Sequence, residues 1–316
     1  MTDLPAGHVS LGGGDEFDAI RSMLRVWGAQ ATGIGDDAAL LALPSGAQLV
    51  ASTDASVEGV HFRRDWLSPR EIGARATAAA LSDLAAMAAS PLGILLALGL
   101  PERWRAELEE LARGVGEMAE RAHCPIVGGN VTRASELSLT LTVLGAAAGA
   151  LVRSAVRTGD ALYVTGTLGG PGAALDALLR GATPAPPHRA RFAAPVPRIR
   201  EARWLATQGA HAAIDISDGL AADAGHLASA SGVCIELELA SIPHVEGVSA
   251  ENAVGSGEEY ELLVAFPPNV HAGGDAFLET FGIPLTRVGR AVTGSGVVLI
   301  DHAGRVDPPR GHDHLK

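Results

Sequence analysis

Residues 84–100, LAAMAASPLGILLALGL, are the longest apolar stretch of the chain, and what this stretch can become constrains the fold more than any other feature. Its length approaches that of a membrane span. Pro91 divides it, however, and Asp83 flanks it. A proline interior to a helix removes a hydrogen bond and clashes with the preceding turn, so the helix ends before it. The stretch therefore reads as the end of a buried helix followed by a buried strand, not as a bilayer-crossing segment. The helix that leads into it, SPREIGARATAAALSDLAAMAA, starts with Ser68 before Pro69, an N-cap followed by proline in the first turn. Hydrophobic residues make up 47% of the 316-residue chain but aromatics only 4%. The core must then be built mainly from Ala, Leu and Val.

The remaining pattern alternates helical and extended segments. DEFDAIRSML is an amphipathic helix with Phe17, Ile20 and Leu24 on one face, and QLVASTDASVEGVHF begins as a strand and ends in a polar loop. AELEELARGVGEMAERA is a helix with Leu108, Leu111 and Val115 as its core stripe. CPIVGGNVTRASELSLTLTVLGAA reads as strand, glycine turn and long strand. Around Gly149 the pattern restarts. DALYVTGTLGGPGAALDALL is strand, Gly-rich turn and helix, and residues 181–202 are Pro-rich and irregular before turning helical. AAIDISDGLAADAGHLASAS is strand, acidic turn and helix; CIELELASIP, YELLVAFPP and RVGRAVTGSGVVLIDHAG supply further strands. Strands and helices mix without strict βαβ alternation. The expectation is an α+β fold with mixed or antiparallel sheets, in two domains, 1–149 and 150–316.

Lys plus Arg total 24 against 36 Asp plus Glu, a formal charge of −12. That balance argues against a nucleic-acid or anionic-membrane surface. The N-terminal residues lack the basic start and apolar core of a secretory signal. Cys124 and Cys234 lie in apolar, strand-like settings and read as buried free thiols of a reducing cytoplasm. Neither CxxC nor HExxH occurs, so a structural zinc site has no support.

Several aspartates fall at the ends of elements. Asp36 and Asp37 are adjacent in GIGDDAALL, Asp54 lies in STDASVEGVHF, and Asp215 and Asp218 lie in DISDGL. Asp83 interrupts the apolar helix, where an unpaired carboxylate is costly. Like charges this close repel unless a cation or strong donor lies between them. Each has a simpler reading: GDD as a solvated turn, Asp218 as a helix cap. As a set they are what hard cations such as magnesium require, together with phosphate oxygens. A cation would also let an acidic protein hold an acidic substrate. The turn GTLGGPGAAL suits either a phosphate at a helix N-terminus or close strand–helix packing, but it matches neither the Walker nor the Rossmann spacing.

In this order, GIGDDAALL, STDASVEGVHF, LSDLAAMAASPLG, PIVGGNVTR, VRSAVRTGDALYVTGTLG, PVPRI, DISDGLAADAGHL and GEEYELL resemble the thiamine-monophosphate kinase family, from about residue 14 to 265. The resemblance implies the two-domain aminoimidazole-ribonucleotide-synthetase-like (PurM-like) fold. The N-terminal domain would bind ATP and metal and form a homodimer through its strands. It implies ATP-dependent phosphorylation of thiamine monophosphate with several Mg2+ ions. By position, Asp37, Asp54, Asp83, Asp215 and Asp218 would be metal ligands, with a hydroxyl or backbone oxygen from Ser52 and Thr53. His61, Glu258 and His312 would face the thiamine substrate; Gly129, Asn130, Arg153 and Ser217 would face ATP. Three positions depart from the family pattern. Asn130 stands where an aspartate is usual, GEEYEL replaces GEDYEL, and GHDHLK lacks the usual aromatic. The alternatives are an ATP-dependent ligase of the same superfamily, of the formylglycinamidine-ribonucleotide-synthetase type, and a nucleotide-binding protein that has lost activity.

Overall fold

A computed structural model of the chain describes residues 14–35 and 37–309. Two compact units emerge: one from residues up to Leu84 with Ser90–Ala148, the other from Ala85–Ala89 with the chain from Gly149 on.

The first unit holds helices α1 (Asp15–Trp27), α2 (Pro69–Ala86) and α3 (Leu108–Arg121), and strands β1 (Gln48–Val57), β2 (Ser90–Leu100), β3 (Ile126–Arg133) and β4 (Ser138–Ala147). The strands form one sheet in the order β1-β4-β2-β3, parallel between β2 and β3 and antiparallel elsewhere. One face is apolar and buried: Ile94, Leu96 and Leu98 of β2 alternate with cross-strand Val143, Leu141 and Leu139 of β4. Burying each such side chain contributes about 1.5–3 kcal/mol. Helix α2 meets this face on the β1 side, where Ser52 bonds to Asp83. Helices α2 and α3 cross closely because both present glycine at the contact. A Cβ on Gly73 would lie 2.2 Å from the Leu111 carbonyl oxygen, and one on Gly114 would lie 1.9 Å from that of Arg70. Helix α1 joins them through Trp27, whose indole N–H donates to the Ala112 carbonyl at 2.7 Å.

The apolar run thus resolves as α2 ending at Ala86 and β2 starting at Ser90. The glycine turn expected at 128–129 is not there. Both glycines lie inside β3, beside a register shift, and the turn comes after Arg133. Gly129 is needed for approach: a Cβ there would lie 1.9 Å from the Leu96 carbonyl oxygen of the neighbouring strand.

The second unit has a seven-stranded mixed sheet, β11-β10-β7-β9-β5-β8-β6, built from β5 (Ala161–Thr165), β6 (Ala212–Asp215), β7 (Cys234–Glu238), β8 (Leu262–Phe266), β9 (Leu285–Val292), β10 (Gly296–Asp301) and β11 (Gly304–Val306). Only β7 and β10 pair in parallel. Its helices are α4 (Gly170–Leu179), α5 (Pro186–Ala193), α6 (Ile199–Thr207), α7 (Leu220–Ser231), α8 (Ala250–Val254) and α9 (Gly274–Phe281). Helix α5 falls in the stretch expected to be irregular. Its prolines 186 and 187 occupy the first turn, where the missing N–H costs nothing. An aliphatic core of Leu162, Val164, Ile214, Leu220, Leu227, Ile235 and Leu263 fills this unit. Both cysteines are free and buried, and burial pushes the Cys124 thiol up to about 12. Among the described residues no helix is long and apolar enough to cross a membrane.

Candidate active site

In the first unit the alternation of β1 decides which side chains can meet. Ser52 and Asp54 share the inner face with buried Val143 and Leu141. From α2, Asp83 reaches the same face, and the Ser52 hydroxyl donates to its Oδ2 at 2.5 Å. Asp54 Oδ1 accepts from the Ala55 N–H at 2.8 Å. Thr53, between them, points to the other face, where its hydroxyl lies 3.1 Å from that of Thr142. Of the two kinds of oxygen expected from Thr53, only the backbone one remains available to the acids. Asp37 is exposed in an irregular segment before β1; Asp36 lies outside the described residues.

His61 closes a tight loop after β1. Its N–H donates to the Val57 carbonyl at 2.9 Å, and Nδ1 accepts from the Val57 N–H at 3.1 Å. An Nδ1 that accepts carries no proton, so in the neutral ring the proton sits on Nε2. The loop is clamped rather than loose. Glu58 Oε2 accepts from Arg103 Nη2 at 2.7 Å, from the buried Trp104 indole at 2.9 Å and from the Leu137 N–H at 3.3 Å. Burial raises the Glu58 pKa, but the Trp104, Leu137 and Arg103 interactions outweigh it and hold the carboxyl below its ordinary value.

Gly129 and Asn130 lie on β3. Asn130 stands in a row with Ala97, Thr140 and Ala55, on the face opposite Ser52 and Asp54. Three strand spacings, about 14 Å along the sheet, separate β3 from β1. Within one chain Asn130 therefore does not share a ligand set with Asp54 and Asp83.

The second unit gathers another group of acids. Asp215 ends β6 and is buried; Asp218 is half-buried in the following turn. The N-cap position of α7 falls on Gly219, one residue after Asp218. Asp223, one turn into α7, accepts from the N–H groups of Ser217 and Asp218 at 3.0 and 3.1 Å. Burial pushes the Asp223 carboxyl up to about 8, with the charges of Asp215 and Asp218 adding to it. Ligand atoms of Asp218, Asp223 and His226 all lie within 4.8 Å of one another. Acids whose mutual repulsion, with burial, drives one of them to hold a proton suit a divalent cation, which relieves that repulsion. Sequence reading missed Asp223, although its place in the first turn of α7, five residues after Asp218, was visible.

Glu258, half-buried, adopts φ +59° and donates its N–H to the Ser217 carbonyl at 2.7 Å, so it adjoins the acidic turn. Arg153 is exposed in a short turn whose carbonyl is held by the Ser231 hydroxyl. His312 lies outside the described residues. The Gly-rich turn before α4 is filled by protein. The Gly169 N–H donates to Glu259, the Gly172 N–H donates to the Ser256 hydroxyl, and a Cβ on Gly170 would lie 2.7 Å from Arg191 Cδ. Close packing, not a phosphate cradle, accounts for these glycines.

Residues 35–147 match the N-terminal domain of AIR synthase related proteins, and residues 157–302 match the C-terminal domain. The thiamine-monophosphate kinase of Escherichia coli K12 is 38% identical over 300 residues, which cover 90% of this chain and 91% of the relative. That of Bacillus subtilis is 32% identical over 96% of this chain and 100% of the relative. The chain belongs to the thiamine-monophosphate kinase family. Its two-domain PurM-like fold agrees with that of solved family members. The Stenotrophomonas maltophilia thiamine-monophosphate kinase superposes with a TM-score of 0.81 at 34% identity, covering 88% of this chain and 95% of that one. AaThiL complexed with AMPPCP and TMP superposes with a TM-score of 0.74 at 30% identity, covering 93% and 94%. The hydrogenase maturation protein HypE shares the fold at 20% identity.

Proposed function

We propose that the chain transfers the γ-phosphoryl group of ATP to the phosphate of thiamine monophosphate, by direct in-line displacement with magnesium, giving thiamine diphosphate and ADP. The observation that carries this reading is 30% identity, over 93% of the chain, to a protein solved with AMPPCP and TMP bound together. Ser52, Asp37, Asp54, Asp83 and the Thr53 carbonyl from the first unit, and Asp215 and Asp218 from the second, are the residues we assign to the metals. Bound magnesium supplies the positive charge that offsets two polyanions brought together. His61, its Nδ1 engaged by Val57, donates from Nε2 to the acceptor phosphate. Glu258, with His312 beyond the described residues, faces the thiamine moiety. Gly129, Asn130, Arg153 and Ser217 face the nucleotide. No residue need act as a strong base, because the attacking phosphate oxygen is already ionised at neutral pH.

Asn130 is a neutral replacement for a family carboxylate. We read Asn130 as a contact to the nucleotide phosphates. A homodimer agrees with the outer face of the first sheet, where Leu49, 57% exposed, lies beside exposed Ala51 and Thr53. Such a contiguous uncovered face suits burial against a second copy. The free buried thiols agree with a reducing, cytoplasmic setting. The test is chromatographic identification of products after incubating the protein with ATP, magnesium and thiamine monophosphate. Thiamine diphosphate and ADP in equal amounts are expected. ADP with free phosphate and no thiamine diphosphate would overturn the reading in favour of a ligase-type reaction.

A further inference from the structure

The loop that presents Glu258 contains two buried carboxylates that the proposed reaction does not use. Glu259 and Glu261 have side chains 0% and 1% exposed. They alternate with Glu258 and Tyr260, which adopt φ +59° and +53°. Side chains disfavour this left-handed region, so the loop holds its shape only where its surroundings enforce it.

The enforcement comes from elements distant in sequence. Arg198, at the start of α6, grips Glu261 with both arms of its guanidinium: Nη2 to Oε1 at 2.6 Å and Nε to Oε2 at 2.8 Å. The Thr165 hydroxyl donates to Glu261 Oε2 at 2.7 Å and accepts from the Leu262 N–H at 2.9 Å, tying the loop to the end of β5. Glu259 accepts from the Gly169 N–H and the Ser256 hydroxyl at 2.5 and 2.6 Å, and from Arg191 at 3.2 Å. The loop adjoins the acidic turn: Glu258 and Tyr260 donate to the carbonyls of Ser217 and Ile216, and Ile216 donates to that of Glu261. A bidentate guanidinium–carboxylate pair fixes direction as well as distance.

We propose that Glu261 and its clamp, Arg198 and Thr165, are positioning residues that hold Glu258 towards the thiamine substrate, an inference that rests on the kinase reading above. They act through Glu258 and touch no substrate themselves.

Steady-state kinetics of Arg198→Lys, alone and combined with Glu258→Ala, test this. Lysine keeps the charge but loses the two-armed grip. The expected result is a KM for thiamine monophosphate raised about fivefold, on the scale of one net hydrogen bond, with the KM for ATP within about twofold. In the Glu258→Ala background the same substitution should add nothing, because residues acting as one unit are not additive. If Arg198→Lys does not fold, Thr165→Val, which removes one hydroxyl at nearly constant volume, carries the same comparison. An unchanged KM in the clamp variants beside a raised one in Glu258→Ala overturns the proposal alone. So does an undiminished clamp effect in the Glu258→Ala background, which marks a merely structural role. A Glu258→Ala chain with wild-type KM overturns it through the assignment of Glu258, and absence of wild-type turnover refutes the kinase reading itself.

Discussion

Glu58→Ala is expected to destabilise the first unit and to weaken binding through His61. The carboxylate side chain is 15% exposed, whereas its partner Arg103 is 45% exposed. The ion pair is therefore solvent-screened and contributes at most about 1 kcal/mol. The larger loss is at Trp104, a buried residue whose indole N–H would have no acceptor; an orphaned buried donor costs about 1–3 kcal/mol. The Leu137 N–H, at 3.3 Å, adds little. The sum is about 1–4 kcal/mol, read by denaturant unfolding at pH 7. Glu58→Gln keeps an acceptor and should cost about 1 kcal/mol or less. Because the folded-state pKa lies below 4.5, ionised Glu58 contributes stability above that value. The contribution disappears as pH falls through the lowered pKa. The wild-type and Glu58→Gln stabilities should therefore converge in acid, once the pH lies below the lowered pKa. Equal stability of Glu58→Ala and wild type at pH 7, or a difference that grows in acid, would refute the clamp.

Asp83→Asn should leave the protein folded, since an amide oxygen still accepts from Ser52, but lower kcat at least a hundredfold, roughly 3 kcal/mol; near-normal turnover in a folded variant would remove Asp83 from the metal set. His61→Ala should raise the KM for thiamine monophosphate more than that for ATP, and equal effects on both would contradict donation from Nε2. Metal-free protein should lose stability as pH rises from about 4 towards 8. Asp223, with a folded pKa of about 8 against an ordinary 3.8, and Glu259, at about 7 against 4.5, bind more protons folded than unfolded across that range. Asp223→Asn should flatten the slope of thermal midpoint against pH, and an unchanged slope would count against a strained acidic group.

What the sequence disclosed was local. Pro91 and the Ser68–Pro69 start placed α2 and β2, and the apolar periodicity placed α1 and α3. Period-two alternation in STD already implied that Ser52 and Asp54 share a face without Thr53. Non-local features stayed hidden. Gly128 and Gly129 look like a turn because the close approach of Leu96 is visible only once β2 and β3 are paired. The role of Glu261 depends on Arg198, 63 residues away, and that of Glu259 on Gly169, 90 residues away. Glu58 read only as part of a polar loop for the same reason: its partners Arg103 and Trp104 come from a different part of the chain.

The most direct test of the central claim follows the phosphorus. The protein is incubated with ATP labelled at the γ-phosphate, magnesium and unlabelled thiamine monophosphate, and the products are resolved. Direct transfer predicts that the label appears in the terminal phosphate of thiamine diphosphate, one for each ADP formed, and that ADP formation stops when thiamine monophosphate is omitted. Label recovered as inorganic phosphate, or ADP formation independent of thiamine monophosphate, would contradict the account.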